Sequence, residues 1–163
     1  MTPSLARRLA CFVYEALVLF GLGLVPGVVG AIAFRHAAAP SWVGTLAVRV
    51  FAFVFYGVYF VGFWSRRGQT LPMQTWRIRL EMRDATPLAL PRAIARYLTA
   101  WVWIAPPAVA GMLLGLRPVA SLGLVGTWIV AYAALARLAP ERQFWHDVLC
   151  GTRLVTADKP PQA

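Results

Sequence analysis

The sequence predicts an all-α integral membrane protein: four transmembrane helices arranged as two hairpins, with a short two-stranded sheet at the cytoplasmic interface. Three observations carry that prediction. Hydrophobic residues make up 60% of the 163 positions and charged residues only 13%, too little polar surface for a soluble domain of this length. The apolar residues are gathered into four blocks, each near or above the ~20 residues that cross a hydrocarbon core of ~30 Å. Basic residues crowd some of the segments between those blocks and avoid others.

The blocks place spans at about 10 to 34, 42 to 64, 97 to 116 and 119 to 138, with a loop over 65–96 and a tail over 139–163, all one membrane domain over 1–163. The first block is too long for the apolar region of a signal peptide, and no small-residue cleavage site precedes a soluble domain, so it reads as retained. Pro26 and the pair Pro106-Pro107 should kink the first and third spans, because each removes a backbone donor and crowds the preceding turn. Gly23 with Gly27, and Gly111 with Gly115, permit close helix contact, which reads as packing within the chain rather than dimerisation.

Orientation follows from the arginines and the lysine. Arg7 and Arg8 precede the first span, seven arginines lie in the central loop and its end (Arg66, Arg67, Arg77, Arg79, Arg83, Arg92, Arg96), and Arg137, Arg142, Arg153 and Lys159 follow the fourth. The opposite side carries Arg35 and Arg117, while Arg49 lies inside the second span near its outer end, where snorkelling to the headgroups accounts for it. Both termini are therefore expected in the cytoplasm. The net charge of +10 is what this asymmetry and anionic inner-leaflet lipids produce, so nucleic acid is not expected as a partner.

Within the central loop, Trp76, Ile78, Leu80 and Met82 alternate with Arg77, Arg79, Glu81 and Arg83. A period of two reads as a strand, ended by a turn at Asp84-Ala85-Thr86-Pro87. A lone strand would leave its ladder groups unpaired, and Thr152 to Thr156 on the same side is the natural partner. An interfacial amphipathic helix over the same residues fits the period less well.

Chemistry-bearing motifs are sparse. Cys11 falls in the first span and Cys150 in the tail, so no disulfide is expected, and the two histidines, His36 and His146, fall on opposite sides of the membrane, so neither metal nor cofactor is expected. No nucleophile with base and orienting acid, phosphate loop or pair of catalytic carboxylates is present at workable spacing, and an enzyme is not expected. His146-Asp147 is the one adjacent imidazole and acid; a helix turn at the interface, with Trp145 at headgroup level and Gly151 as C-cap, accounts for it without catalysis.

Glu15 is the anomaly of the first span. A carboxylate there must be neutral, paired, turned to a wet cavity or close to the surface. Arg8 is on nearly the same helix face, but seven residues put it about 10 Å away along the axis, too far for a direct bridge in a straight helix.

The segments RRLACFVYE, RRGQTLPMQTWRIRL, AIARY and RQFWHDVLCGTRLV together resemble the RDD family of small bacterial membrane proteins, across essentially the whole chain. The resemblance implies that Arg8 stands at the arginine of the family name, Glu15 at the first acid, in place of aspartate, and Asp147 at the second. The GQT motif is matched by Gly68, Gln69 and Thr70, and the C-terminal motif includes Trp145, His146, Gly151 and Thr152. It also implies a multi-pass protein of the bacterial inner (plasma) membrane that takes part in transport, including cation/proton exchange, with no general substrate assigned. The alternative is a structural or accessory subunit assisting another membrane complex. Membrane lipids are expected partners, with a homo-oligomer or membrane-protein partner if so small a chain transports anything.

By depth, Arg8, Glu15 and Asp147 should form a cytoplasm-facing polar cluster, with Asp147 the closer partner of Arg8 and Glu15 left to neighbouring helices, water or a cation.

Overall fold

Ser4 starts the first helix, its hydroxyl accepting the Arg7 N–H at 3.3 Å. In this computed structural model, which describes residues 1–35 and 42–157, α1 runs over Leu5–Leu22 and α2 over Leu24–Ala33. The break at Gly23 lies one turn before Pro26, which has no N–H for the Leu22 carbonyl. The second block forms α3, Trp42–Arg67, whose Tyr56 hydroxyl donates to the Leu19 carbonyl at 3.3 Å. His36 and Lys159 lie outside the described residues.

The central loop supplies α4 (Leu71–Thr75), β1 (Ile78–Met82) and the start of α5 (Leu90–Ala100). After a 3-10 turn over Trp101–Trp103 come α6 (Ala105–Leu113), α7 (Pro118–Leu135), a second 3-10 turn at Pro140–Arg142, α8 (Trp145–Cys150) and β2 (Thr152–Thr156).

Among the described residues, Leu5–Ala33, Trp42–Arg67 and Pro118–Leu135 are long and apolar enough to cross a membrane. Their outward stripes, such as Val13, Leu17 and Phe20 on α1 and Val50, Val54 and Val58 on α3, are exposed in the chain by itself, which suits a surface meant for lipid.

The expected span 97 to 116 is corrected: it is not one helix. α5 begins inside the expected loop, and α6 has nine residues, a rise of about 14 Å that covers roughly half a hydrocarbon core. Pro106 and Pro107 account for the break, because they sit in the first turn of α6, where their missing N–H groups cost nothing, and could not continue α5. The break has a packing role. It turns Trp103 inward against Phe12, Tyr132 and Phe144, with ring centroids 4.9, 4.8 and 5.0 Å away.

The strand pairing expected from the alternation is present. β1 and β2 are antiparallel with Leu80 opposite Leu154 and Met82 opposite Thr152, and the helical alternative for this stretch fails. Ile78, Leu80 and Leu154 turn into the core, while Arg77 and Arg79 face out. Asp84 closes the turn by accepting the backbone N–H of Thr86 at 3.0 Å and its hydroxyl at 2.6 Å. The Thr156 N–H donates to the Met1 carbonyl at 2.9 Å, so the first residue and β2 meet at one end of the molecule. Elsewhere α2 packs on α3, α5 on both α3 and α8, and α6 on α7.

Candidate functional site

One face of α1 carries Arg8, Cys11, Phe12, Glu15 and Leu19, spaced three and four apart, and all of them line a cavity of about 380 Å³. α3 contributes Tyr56, Phe60 and Trp64 to its walls, and α5 contributes Arg96 and Tyr97. The walls are mostly aromatic and aliphatic. Arg8, Glu15, Arg96 and His146 are the ionisable side chains set into them, apart from the cysteine and tyrosines.

Glu15 is satisfied by two hydroxyls. Tyr59 of α3 donates to Oε1 at 2.8 Å, and Thr70 donates to Oε2. Thr70 is buried and also serves as N-cap of α4, its Oγ1 accepting the Met73 N–H at 3.4 Å. The carboxylate therefore ties α1 to α3 and to the central loop without an arginine. Among the described residues it forms no ion pair.

Asp147 is the opposite case. It is fully buried, and Arg96 Nε donates to Oδ1 at 2.7 Å while the Thr152 hydroxyl approaches the same oxygen at 3.2 Å. Burial alone would push this carboxyl up, but the Arg96 guanidinium, together with His146 and the hydrogen bonds from Arg96 and Thr152, outweighs it and holds the group below the usual carboxylate range. Arg96 in turn lies over the Trp64 ring, 4.2 Å from its centroid.

His146 is also buried. Its backbone N–H donates to the Tyr132 hydroxyl at 3.0 Å, leaving that hydroxyl's own proton for Nδ1, also 3.0 Å away. This arrangement puts the ring proton on Nε2, 3.6 Å from Asp147 Oδ2. Burial pushes the imidazole down to about 4, so it is neutral at pH 7.

The expected pairing of Arg8 with Asp147 is corrected: Arg96 takes that place. α5 packs directly on α8, which brings Arg96 to Asp147. Arg8 instead lies over Phe144, 4.5 Å from the ring centroid, with Nε and Nη1 buried and unbonded among the described residues. Depth along a helix had placed Arg8 and Asp147 at one level, yet depth does not fix which neighbour a side chain turns toward. The signal for Arg96 was its position among Ala93 and Tyr97, the buried stripe of an amphipathic helix.

The motif residues have separate structural roles. Gly68 follows α3 with φ +66°, its carbonyl accepts the Leu80 N–H at 2.8 Å, and a Cβ on it would lie 2.7 Å from the Leu80 carbonyl oxygen. Gln69 Nε2 donates to the Ile78 carbonyl at 2.8 Å, fixing the start of β1. Gly151 caps α8 in the left-handed region at φ +67°, as expected, and the Trp145 indole N–H donates to the Leu135 carbonyl at 3.2 Å.

Gln143, which the sequence did not single out, is fully buried. Its Oε1 accepts the Leu154 N–H at 2.9 Å and its Nε2 donates to the Leu154 carbonyl at 3.0 Å, so it supplies the outer edge of β2.

The profile described as RDD family matches residues 2–151 of this chain. No curated protein and no solved structure matches it.

Proposed function

The chain belongs to the RDD family of membrane proteins, and we propose that it is a multi-pass inner-membrane protein whose Glu15 handles a proton or a monovalent cation in a transport-related cycle. The observation that supports this is the contrast between the two acids of the region. Asp147 is held by an arginine and enclosed, whereas Glu15 borders a cavity within an apolar helix and is bonded, among the described residues, only to the neutral hydroxyls of Tyr59 and Thr70. A carboxylate with two hydroxyl oxygens is a hard oxygen donor set, suited to a proton or an alkali cation rather than to a soft metal. Asp147 with Arg96 holds the helices beside it, and Arg8 lies over Phe144 in the same wall.

In this reading the chain crosses the membrane four times as two hairpins, the third crossing made jointly by α5 and α6. Both ends lie in the cytoplasm, in keeping with the thirteen basic residues assigned to that side against two on the other. It acts without enzymatic chemistry, among membrane lipids, as a homo-oligomer or beside another membrane protein. The second reading, a structural or accessory subunit, draws on the Arg96–Asp147–Thr152 lock, which ties α5 to the tail whether or not anything is transported.

Flux of sodium, potassium and protons into liposomes holding the oriented, purified protein separates the two. Ion-dependent flux abolished by Glu15→Gln supports the first reading. Absence of all three fluxes favours the second.

A further inference from the structure

A cleft of about 720 Å³ opens where the membrane-crossing helix α3 ends. Arg66 and Arg67, in the last turn of that helix, form one wall, and Arg77 and Arg79 approach from the start of β1. All four side chains are exposed. None makes an ion pair or side-chain hydrogen bond among the described residues. The acid in the cleft, Glu81, is already taken: Arg153 donates to its Oε1 from Nε at 2.9 Å and from Nη2 at 2.8 Å. The cleft thus presents four uncompensated guanidinium groups. Like charges gathered this closely on one wall and its neighbour repel one another, and an anion relieves them.

The surroundings indicate which anion. α3 spans to Arg67, so the cleft stands at the level where a crossing helix meets the headgroups. Directly after the cleft wall at Leu88, α5 carries Leu90, Ile94 and Leu98 four residues apart, all exposed, beside a buried stripe of Ala93, Arg96 and Tyr97. Such a stripe is costly in water and stable against acyl chains. A basic, polar cleft beside a lipid-facing apolar stripe complements a molecule with a phosphate head and hydrocarbon tails. Arginine's planar fork binds phosphate oxygens in pairs, and four of them exceed what one phosphate uses.

We propose that this cleft is a binding site for an anionic phospholipid, with a preference for a headgroup bearing two phosphates over one bearing a single phosphate. The proposal stands apart from the ion-handling reading of Glu15 and needs only the membrane setting of α3.

The test uses the full chain in a mild detergent, titrated separately with diphosphatidylglycerol, phosphatidylglycerol, phosphatidylcholine and inorganic pyrophosphate, and read by native mass spectrometry and by the shift in unfolding temperature. Diphosphatidylglycerol should bind tightest and phosphatidylcholine weakest, with affinity falling as salt is raised. With each arginine near the surface contributing roughly fivefold, the R66Q/R77Q/R79Q variant should lose about a hundredfold toward diphosphatidylglycerol. R92Q/R137Q/R142Q, an equal loss of charge at exposed sites outside the cleft, should bind nearly as the unaltered protein does. An equal loss in both variants, or equal binding of all three lipids by the unaltered protein, overturns the proposal. Tight binding of pyrophosphate without lipid discrimination overturns the lipid as the source. Because lipid selectivity and salt dependence are read on the unaltered chain, a folding defect in a variant does not decide the outcome. Flux through Glu15 is a separate measurement.

Discussion

Arg96 donates to Asp147 across 2.7 Å with both side chains buried, and this contact joins α5, the first half of the broken third segment, to the C-terminal helix α8. Two charges so far from water are favourable only together, because each alone would keep its desolvation cost without the compensating attraction.

Asp147→Ala should therefore lower stability by about 3 to 5 kcal/mol, as expected when one member of a buried pair is removed. Arg96→Met with Asp147→Ala should be less damaging than the sum of the singles, measured by denaturant or thermal unfolding in detergent. Arg8→Met should be close to neutral or mildly stabilising, since Arg8 has no ion pair among the described residues and methionine keeps most of its contact with Phe144. A loss at Arg8 as large as at Arg96 would restore the Arg8–Asp147 pairing expected from the sequence.

The pH dependence has a definite sign. His146 is neutral when folded because its pKa is pushed down to about 4, while the unfolded residue takes up a proton near 6.5. The unfolded state binds more protons between those values, so stability should fall by roughly 3 kcal/mol as pH drops from about 6.5 to 4. Asp147, also depressed, loses its contribution below that range as it is protonated. The unfolding temperature from pH 7.5 to 4.5 should decline in the natural chain and much less in His146→Asn. A flat profile for the natural chain would mean that the imidazole is accessible to water.

The two motif glycines should respond unequally to alanine. Gly68→Ala meets both a left-handed backbone and the Leu80 carbonyl oxygen at 2.7 Å, whereas Gly151→Ala meets the backbone cost alone, with open space around its Cβ. Left-handed strain costs about 1 to 2 kcal/mol, so Gly151→Ala should lose that much and Gly68→Ala clearly more, by unfolding in detergent. Equal losses would mean that the Leu80 backbone yields freely.

How much was legible in the sequence varied with the kind of signal. The alternation from Trp76 to Met82 and the TRLVT segment were enough to pair β1 with β2, since period two leaves few alternatives when an apolar face must be buried. The runs that became α1 to α3 and α7 were equally plain. The third span misled because hydropathy sums over a window: Tyr97 to Leu116 carries no charge and, apart from Thr99, is apolar or aromatic, while the stop at Trp101–Trp103 is set by two prolines and by the packing of Trp103. In the site, Thr70 and Asp147 were legible as motif residues, but their partners were not. Tyr59 and Arg96 reach the acids from other helices, and azimuth around a helix is decided by packing. Gln143 resembled an ordinary loop residue, because nothing local shows that the backbone it bonds lies eleven positions away.

The central claim is that Glu15, held by Tyr59 and Thr70 at the cavity wall, exchanges a proton or cation, and Glu15→Gln in liposomes addresses it most directly. Glutamine keeps the size and one hydrogen-bonding oxygen, so the variant should insert and unfold nearly as the natural chain does. Ion-driven flux, present with the natural chain, should be lost. Full flux in Glu15→Gln, or none in the natural chain with its fold and orientation verified, would contradict the account.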